Sequence, residues 1–335
     1  MRILILQLKR IGDVVLTAPA LARLRAAIPD ASIELILHGV CGGLAPLIPG
    51  MDAVHVWQPG RANLGLLRHL AGARYDAVLD VTSTDRSFFL AALAGGPKRV
   101  AWSRARDARW WRRRVASCGV EASVRDLTTV DFHHALAGGL IRELGFAPPA
   151  EDAVVPPFLK LGEARLPAGL PARYGVIHPG SARSEKEWPA ESWAQVVREL
   201  AGRGQMPVVF TGGGGEAERA YVRRIGELAG GGFLDLAGQL DLAESAAVIG
   251  GADLVLSVDS AAMHLAAQFP RPQVALFGPT NPFHWAPRHP LARVILASAP
   301  QAPVLTHVPK HIPGPMENIP VRTVVEAAFE LLCIA

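Results

Sequence analysis

The chain has few cysteines and no long apolar run. Its 335 residues include three cysteines (Cys41, Cys118 and Cys333), and their spacing matches no metal-binding or redox motif. We expect all three thiols to be buried and reduced. No segment approaches the roughly 18–20 uninterrupted apolar residues of a membrane-spanning helix, so none is predicted. The apolar run at residues 3–8 is followed by no cleavage site, which predicts a β-strand rather than a signal peptide.

Lysine is also scarce. Of 34 basic residues five are lysine, and the formal net charge is +4 with a pI near 9.2. Arginine is concentrated between Arg99 and Arg114, where seven arginines and three tryptophans accompany one acidic residue. Half of all residues are hydrophobic and 19% are charged, a composition typical of folded globular proteins.

The chain alternates apolar runs of strand length with helical segments. Strands are predicted at 3–8, 33–39 and 76–82, and again at 174–180, 207–213, 254–260, 274–280 and 293–298. Helices are predicted between them, for example from Asp13 to Ile28 and from Ala190 to Arg203. Continuous apolar strands that alternate with helices predict doubly wound parallel sheets of the α/β class.

A proline-rich segment at 147–170 interrupts this alternation and predicts a domain boundary. We predict one domain over residues 1–160, a second over 161–320, and a C-terminal helix at 321–335 that packs back on the first domain. Ligands of open α/β sheets bind at the carboxyl ends of the strands. Two such domains in tandem are expected to face each other across a cleft.

Two loops after strands of the second domain carry candidate ligand-binding residues. Residues 178–189 (HPGSARSEKEWP) contain Ser181 and Lys186, ahead of a helix predicted to start at Pro189. A lysine beside the free amides of a helix start forms an anion site, although a solvated loop lysine has the same local pattern. In residues 211–219 (TGGGGEAER), Gly212 and Gly213 allow close approach to a ligand or simply form a flexible turn.

Two further loops complete the set. In 258–266 (VDSAAMHLA), Asp259 ends a strand, Ser260 is the expected helix N-cap, and Met263 and His264 follow one turn later. Residues 277–285 (FGPTNPFHW) form another turn at a strand end. Four such loops at one sheet edge favour a nucleotide site there.

The matching loop of the first domain is 7–15 (QLKRIGDVV), in which Asp13 opens a helix or serves as its N-cap. A helix start is expected to lower the pKa of this carboxylate and weaken it as a base. A carboxylate opposite an anion site is nevertheless what glycosyl transfer needs. The acceptor hydroxyl must lose a proton, and the leaving diphosphate must be stabilised.

Together these segments resemble glycosyltransferase family 9, the ADP-heptose:lipopolysaccharide heptosyltransferases. The resemblance runs nearly end to end, through MRILILQLKRIGDVVLTAPALARLR, VIHPGSARSEKEWP, FTGGGGEAER, DSAAMHLA and FGPTNP. It implies the GT-B architecture of two Rossmann-like domains. It also implies an inverting, metal-independent transfer of heptose from ADP-heptose to the acidic inner core of lipopolysaccharide, without a cofactor.

The resemblance assigns roles residue by residue. Asp13 is the implied general base, Lys186 binds the donor diphosphate, and Glu216, which otherwise caps its helix, binds the ribose. Asp259 holds the sugar or its neighbouring phosphate. The remaining implied donor contacts are Ser181, Gly212, Gly213, Ser260, Met263 and His264.

Two departures from the family pattern are visible. Ala261 stands where the family usually has glycine, which weakens the expectation of close backbone approach to phosphate. Residues 307–321 lack the cysteines of many relatives but keep Met316, Ile319 and Val321. Asp80 and Asp85 are too far apart to form an Asp-x-Asp metal motif, which is consistent with metal-free transfer.

The segment from Arg99 to Arg114 has three competing uses. Nucleic-acid binding needs a basic surface with stacking aromatics, but the rest of the chain carries no nucleic-acid motif. Trp110 and Trp111 alternatively pack beneath solvated arginines. In the third use, arginine forks bind acceptor carboxylates and phosphates. The acceptor-binding candidates are Arg61, Arg86, Arg104, Arg106 and Arg109.

The same positive charge is expected to hold the protein at an anionic inner-membrane surface, as a peripheral cytoplasmic monomer. Asp131, His133 and His134 are predicted on a helix surface rather than at a metal, because adjacent helical residues point in different directions. Other functions stay open: a GT-B transferase with another nucleotide sugar, a nucleotide-sugar epimerase, or a catalytically silent binding protein. A nicotinamide dehydrogenase is disfavoured because KRIGD replaces the glycine triad.

Overall fold

The computed structural model describes residues 1–150, 158–161, 166–203, 206–269, 271–298 and 314–334. The chain divides into two compact units, residues 1–160 and 161–335. Every helix in the described ranges is too short or too polar to span a bilayer.

The first unit is built on six parallel strands. They are β1 (Arg2–Gln7), β2 (Ser32–His38), β3 (Ala53–Trp57), β4 (Ala77–Asp80), β5 (Lys98–Trp102) and β6 (Cys118–Val120). The helices are α1 (Ile11–Ala27), α2 (Leu64–Gly72), α3 (Asp85–Ala94), α4 (Ser103–Asp107), α5 (Trp110–Val115) and α6 (Thr129–Glu143), with a 3₁₀ helix at Gly39–Leu47. The strand order is β3-β2-β1-β4-β5-β6.

The second unit repeats this plan. Its strands are β7 (Gly175–His178), β8 (Val208–Phe210), β9 (Phe233–Asp235), β10 (Leu254–Val258), β11 (Gln273–Phe277) and β12 (Ala292–Leu296). Its helices are α7 (Ala190–Gly202), α8 (Glu216–Ala229), α9 (Leu242–Gly251), α10 (Ala261–Gln268), α11 (Pro282–Trp285) and α12 (Val321–Ile334). The strand order is β12-β11-β10-β7-β8-β9. If β7 is counted as the first strand and the sheet is read from the β9 edge, this order is the same as in the first unit.

Both sheets therefore have the doubly wound order of dinucleotide-binding folds, which confirms the predicted fold class. In this order the chain reverses direction across the sheet between the first and fourth strands. That switch point lies between β1 and β4 in the first unit, and between β7 and β10 in the second. Ligands of such sheets bind in the crevice outside the carboxyl ends of these strands.

Each unit has its own hydrophobic core. Strand β1 is buried on both faces, as its continuous apolar run predicts. In the second unit, Trp193 of α7 packs edge to face with Trp188, with ring centroids 5.0 Å apart. The apolar face of α12 joins this second core through Val324, Ala328 and Leu331. A contact of α12 with the first unit stays a prediction.

The sequence pattern missed four strands, β3, β5, β6 and β9. Three of them lie at sheet edges, where only part of each side chain is buried and no continuous apolar run is required. The remaining strand, β5, has the sequence KRVAW and overlaps the basic segment, so it contains no continuous apolar run. The prediction of three buried thiols is wrong for Cys333, which is exposed near the end of α12, whereas Cys41 is buried and Cys118 is half-buried.

Candidate active site

A buried ion pair lies at the switch point of the second unit. Lys186 follows β7 in a short 3₁₀ turn, and Asp259 follows β10 directly. Lys186 Nζ donates to Asp259 Oδ2 over 2.7 Å, and the two side chains are 14% and 9% exposed. The structure therefore brings together two residues that are 73 positions apart and that the sequence predicts in separate loops. The predicted helix start at Pro189 shifts by one residue, because Pro189 is the N-cap of α7.

Ser260 and His264 accompany this pair. Ser260 is the N-cap of α10, as predicted, but its Oγ makes no capping bond and is buried with no partner among the described residues. An unmade hydrogen bond of this kind costs about 1–3 kcal/mol, which suits a hydroxyl that binds a ligand. Burial lowers the pKa of His264 to about 4, although nearby Asp259 raises it. The imidazole is therefore neutral near pH 7.

Met263 has a different environment from its neighbours. It is fully buried in a cluster with Ala275, Phe277 and Leu296. The position of Met263 in the core does not support a direct donor contact, and its predicted role stays a prediction. Sequence spacing alone does not separate it from His264, because both follow Asp259 on the same short helix.

The glycine loop after β8 encloses an acidic side chain. Glu218, in the first turn of α8, fills the space beside Gly180, Gly212 and Gly213. A Cβ atom at Gly180 would lie 2.4 Å from Glu218 Oε1, so a larger residue there would displace the Glu218 side chain. Glu218 Oε1 also lies 3.8 Å from His178 Nε2. The loop thus packs around Glu218, a residue that the sequence analysis did not select.

Glu216, the predicted ribose ligand, lies at the first position of α8 and is 68% exposed at its side chain. It forms ion pairs with Arg219 (2.8 Å) and Arg223 (2.7 Å), and the hydrogen bond from Arg223 is the main cause of its lowered pKa. No side-chain capping bond is present at this helix start. Ser181 follows β7 in the neighbouring turn and is half-buried.

Thr280 is a further polar residue at this edge that the sequence analysis missed. Its Oγ1 donates to Asp259 Oδ2 over 2.7 Å. It follows β11 within FGPTNP, and its place in a loop at a strand end was the available signal. Beside it, Pro279 lines a cavity of about 390 Å³ together with Ser184, Glu187 and residues 314–317.

Asp13 lies at the corresponding edge of the first unit. It is the third residue of α1, so it is not the N-cap, which is Arg10. Burial raises the pKa of Asp13, against the opposing charge of Lys9, whose Nζ lies 3.9 Å from Asp13 Oδ1. The predicted lowering of this pKa by the helix start is therefore wrong, because desolvation outweighs it. A raised pKa makes the carboxylate a better base.

Asp80 ends β4, the strand beside β1, and is almost fully buried. Its carboxylate accepts hydrogen bonds of 2.7 Å from the Ser83 amide and from Ser87 Oγ. Burial still raises the pKa of Asp80 to about 6. Ser83 adopts a left-handed backbone (φ 57°), which brings its amide to the carboxylate. Asp80 thus orders the turn that follows β4.

A buried polar chain fixes the first turns of α1. Thr17 Oγ1 donates to the Asp13 carbonyl oxygen over 2.7 Å and accepts from Gln7 Nε2 over 2.6 Å. His133 Nδ1, on α6, lies 3.1 Å from Thr17 Oγ1. His133 is buried, and burial lowers its pKa to about 3. The predicted surface position of His133 is therefore wrong, because α6 turns this residue toward α1.

The candidate acceptor arginines differ in their surroundings. Arg61 and Arg104 are exposed and form no ion pair with any described residue, and the Arg86 guanidinium lies 6.0 Å from the Trp57 ring. Arg106 lies 3.3 Å from Asp107, and Arg109 lies 3.5 Å from Asp85. Most of these charges therefore remain accessible to an anionic ligand.

The two adjacent tryptophans also differ. Trp111 packs edge-on against Phe88 with ring centroids 6.0 Å apart, as the packing alternative predicted. Arg112 is held between that aromatic pair and Asp85, to which it donates over 2.7 Å. Trp110 is instead 70% exposed, with the Arg114 guanidinium 4.8 Å from its ring centre.

One further group of titratable residues lies away from these edges. Glu34 Oε2 accepts from Nε2 of His55 (2.8 Å) and His69 (2.7 Å), and from Tyr75 (2.8 Å). The three ligand-type side chains have the spacing of a metal site. However, Arg2 donates to the same carboxylate over 2.6 Å, and its fixed positive charge opposes a divalent cation there. The group therefore forms a hydrogen-bond network around Glu34.

The chain is similar to known glycosyltransferases. A family model for glycosyltransferase family 9 (heptosyltransferase) matches residues 64–310. Lipopolysaccharide heptosyltransferase 1 of Escherichia coli strain K12 is 28% identical over 306 residues, covering 84% of this chain and 89% of that protein.

Two solved structures share the fold. A family 9 glycosyltransferase from Veillonella parvula has a TM-score of 0.80 at 22% identity and covers 100% of this chain and 97% of its own. The Escherichia coli heptosyltransferase WaaC, solved with ADP, has a TM-score of 0.80 at 21% identity, with coverage of 99% and 100%. Since the family model spans more than half of the sequence, this chain belongs to glycosyltransferase family 9, the heptosyltransferase family.

Proposed function

We propose that the protein transfers a heptose from ADP-heptose to an acidic acceptor in the inner core of lipopolysaccharide, with inversion and without a metal. The observation that carries the donor assignment is the buried Lys186–Asp259 pair at the switch point of the second unit. The names of the relatives support the sugar and the acceptor: one acts on lipopolysaccharide as a heptosyltransferase, and a structural neighbour was solved with ADP-2-deoxy-2-fluoro heptose.

In the proposed reaction the acceptor oxygen forms a bond to the anomeric carbon as the bond to the diphosphate breaks. Asp13 takes the proton from the acceptor hydroxyl, a role that its raised pKa favours. The bonding electrons leave with ADP, whose new negative charge is stabilised by Lys186. A fixed ammonium in a shielded site supplies the positive charge that a metal ion would otherwise provide.

Donor binding is assigned to the second unit. Lys186 and Ser260 are assigned to phosphate oxygens, because one is a cation and the other is a buried hydroxyl without a partner among the described residues. Asp259 is assigned to the sugar or its neighbouring phosphate, and neutral His264 offers one N–H donor. Gly212, Gly213 and Glu216 are assigned to the nucleoside, since Glu216 is exposed enough to exchange its arginine partners for ribose hydroxyls.

Acceptor binding is assigned to Arg61, Arg86, Arg104, Arg106 and Arg109 of the first unit. The segment from Arg99 to Arg114 holds seven arginines, and among the described residues its ion pairs are formed with Asp107 and Asp85. This excess charge matches the carboxylates and phosphates of an inner-core glycan.

The same unit is proposed to contact an anionic inner-membrane surface as a peripheral cytoplasmic monomer. Five of the seven exposed large apolar side chains in its described residues lie about two to nine residues after the end of a strand. They are Val40, Leu64, Phe89, Trp110 and Val124. Exposed apolar side chains together with an excess of arginine suit an anionic lipid interface.

Thermal-shift measurements with ADP, UDP, GDP, CMP and ADP-heptose test the donor assignment. A selective rise in the unfolding temperature with ADP and ADP-heptose is expected. A preference for UDP or GDP would replace the donor while keeping a GT-B transferase. No shift with any nucleotide would favour a catalytically silent protein.

A further inference from the structure

The Asp259 carboxylate is held from both sides by loops of neighbouring strands. Strand β10, which it follows, lies between β7 and β11. Lys186 comes from the loop after β7 and Thr280 from the loop after β11. Both donate to the same oxygen, Oδ2, over 2.7 Å. The carboxylate therefore has one charged donor and one neutral donor.

The charged donor has two competing anionic partners. In the proposed function Lys186 binds the donor diphosphate, yet in this structure its ammonium neutralises buried Asp259. When the ammonium turns toward phosphate, Asp259 loses part of its stabilisation, and a buried carboxylate without a partner is costly. The Thr280 hydroxyl carries no charge and does not compete for the phosphate.

The Thr280 loop is well suited to hold a fixed position. Asn281 caps α11 by accepting a hydrogen bond of 3.0 Å from the Phe283 amide, and Pro279 precedes Thr280. Threonine is also restricted in its χ1 angle because it is β-branched. The hydroxyl is thus presented to Asp259 by a constrained turn.

We propose that Thr280 is a positioning residue, which keeps Asp259 oriented for the donor while Lys186 binds the phosphates. This role depends on the donor site proposed above. It assigns to the FGPTNP loop a function in donor affinity that acts through Asp259 rather than by contact with the reacting atoms.

Isothermal titration with ADP-heptose tests the effect on binding. Thr280→Val should weaken donor affinity about tenfold or more, because a hydrogen bond to a charged group is lost. Thr280→Ser should restore affinity to within about threefold, since it keeps the hydroxyl. Thr323→Val, a matched change on α12, should leave affinity unchanged. Equal affinity of Thr280→Val and the wild type would overturn the proposal.

A double-mutant cycle on the ligand-free protein tests the shared hold on Asp259 independently of any donor. The unfolding temperatures of Lys186→Met, Thr280→Val and the double variant are compared with that of the wild type. In each single variant the remaining donor still hydrogen-bonds to Oδ2. The unfolding temperature of the double variant should therefore fall by more than the sum of the decreases in the two single variants. Additive losses would contradict the proposed role even if ADP-heptose proves to be the wrong donor. A wild type that binds no ADP-heptose, with a non-additive cycle, would instead overturn only the donor.

Discussion

Asp13 is subject to two opposing effects at the carboxyl end of β1. Burial raises its pKa, and the charge of Lys9 lowers it. The backbone beneath it is fixed by Thr17, which donates to the Asp13 carbonyl oxygen. Burial is the larger of the two effects, and the raised pKa favours proton acceptance by the carboxylate.

Replacing Asp13 with asparagine should remove the proposed base while keeping the shape of the side chain. We expect kcat to fall by ~10²–10⁴-fold, the typical contribution of a general base. Donor affinity should stay nearly unchanged, because the donor residues lie in the second unit. Steady-state kinetics measure kcat, and titration with ADP-heptose measures donor affinity. Asp30→Asn, at an exposed turn, is the control. Retention of more than about a tenth of the wild-type rate would exclude Asp13 as the base.

Lys9 should influence the pH dependence of the same step. The base must be deprotonated, so activity is lost as pH falls through the Asp13 pKa. Lys9 lowers that pKa, and Lys9→Met should therefore shift the acidic limb of the kcat/KM profile to higher pH. Lys9→Arg keeps the charge and should leave the limb near its wild-type position. An acidic limb that does not move in Lys9→Met would show that another group controls it.

At the scale of elements, Glu34 joins β2 to β3 and α2. Burial alone would raise its pKa, but hydrogen bonds from Arg2, His69, His55 and Tyr75 together lower it to about 2. A carboxylate with a lowered folded-state pKa contributes stability above its unfolded value near 4.5. That contribution is lost as pH falls from about 4.5 through about 2.

Glu34→Gln should therefore destabilise the protein at pH 7 by about 1.5–3 kcal/mol, the range for hydrogen bonds to a charged group. Its free energy of unfolding should also change less than that of the wild type between pH 4.5 and pH 2. Urea unfolding at a series of pH values measures both quantities. Parallel pH curves for the two proteins would contradict the proposed contribution of Glu34.

Helix α5 exposes Trp110 beside Arg113 and Arg114, while Trp111 secures the helix to Phe88. If this surface contacts anionic lipid, Arg113→Gln/Arg114→Gln should weaken binding to phosphatidylglycerol vesicles by about 30-fold, at about 1 kcal/mol per arginine. Adding Trp110→Ala to this double variant should reduce vesicle binding further. Arg203→Gln/Arg322→Gln changes the charge equally on the second unit and is the control in vesicle sedimentation. Equal binding by all of these variants would remove α5 from the membrane surface.

At the scale of the whole molecule, the proposed roles divide between the two units. Asp13 belongs to the first and Lys186 to the second. Lys186→Met should weaken ADP-heptose binding at least tenfold, in contrast to Asp13→Asn. It should also destabilise the fold by up to about 3–5 kcal/mol, because Asp259 stays buried without its cation. Titration and thermal unfolding check both effects, and unchanged donor affinity would exclude Lys186 from the phosphate site.

Much of the fold could be predicted because its signals are local. Strands buried on both faces appear as continuous apolar runs, so β1, β2, β7 and β10 were found within one or two residues of their observed bounds. Edge strands such as β3 and β9 have weaker patterns and were missed. The loops after β7, β8, β10 and β11 were identified because parallel strands bring their carboxyl ends to one edge.

The sequence by itself determined the α/β class, the family and the loops that carry the candidate chemistry. Only the tertiary structure decided which side chain in each loop points to the site. It buried Met263 in the core and turned His133 toward α1. It also placed Glu218 beside the glycines and Thr280 against Asp259. These outcomes depend on contacts between residues far apart in the chain, which local periodicity and spacing do not encode.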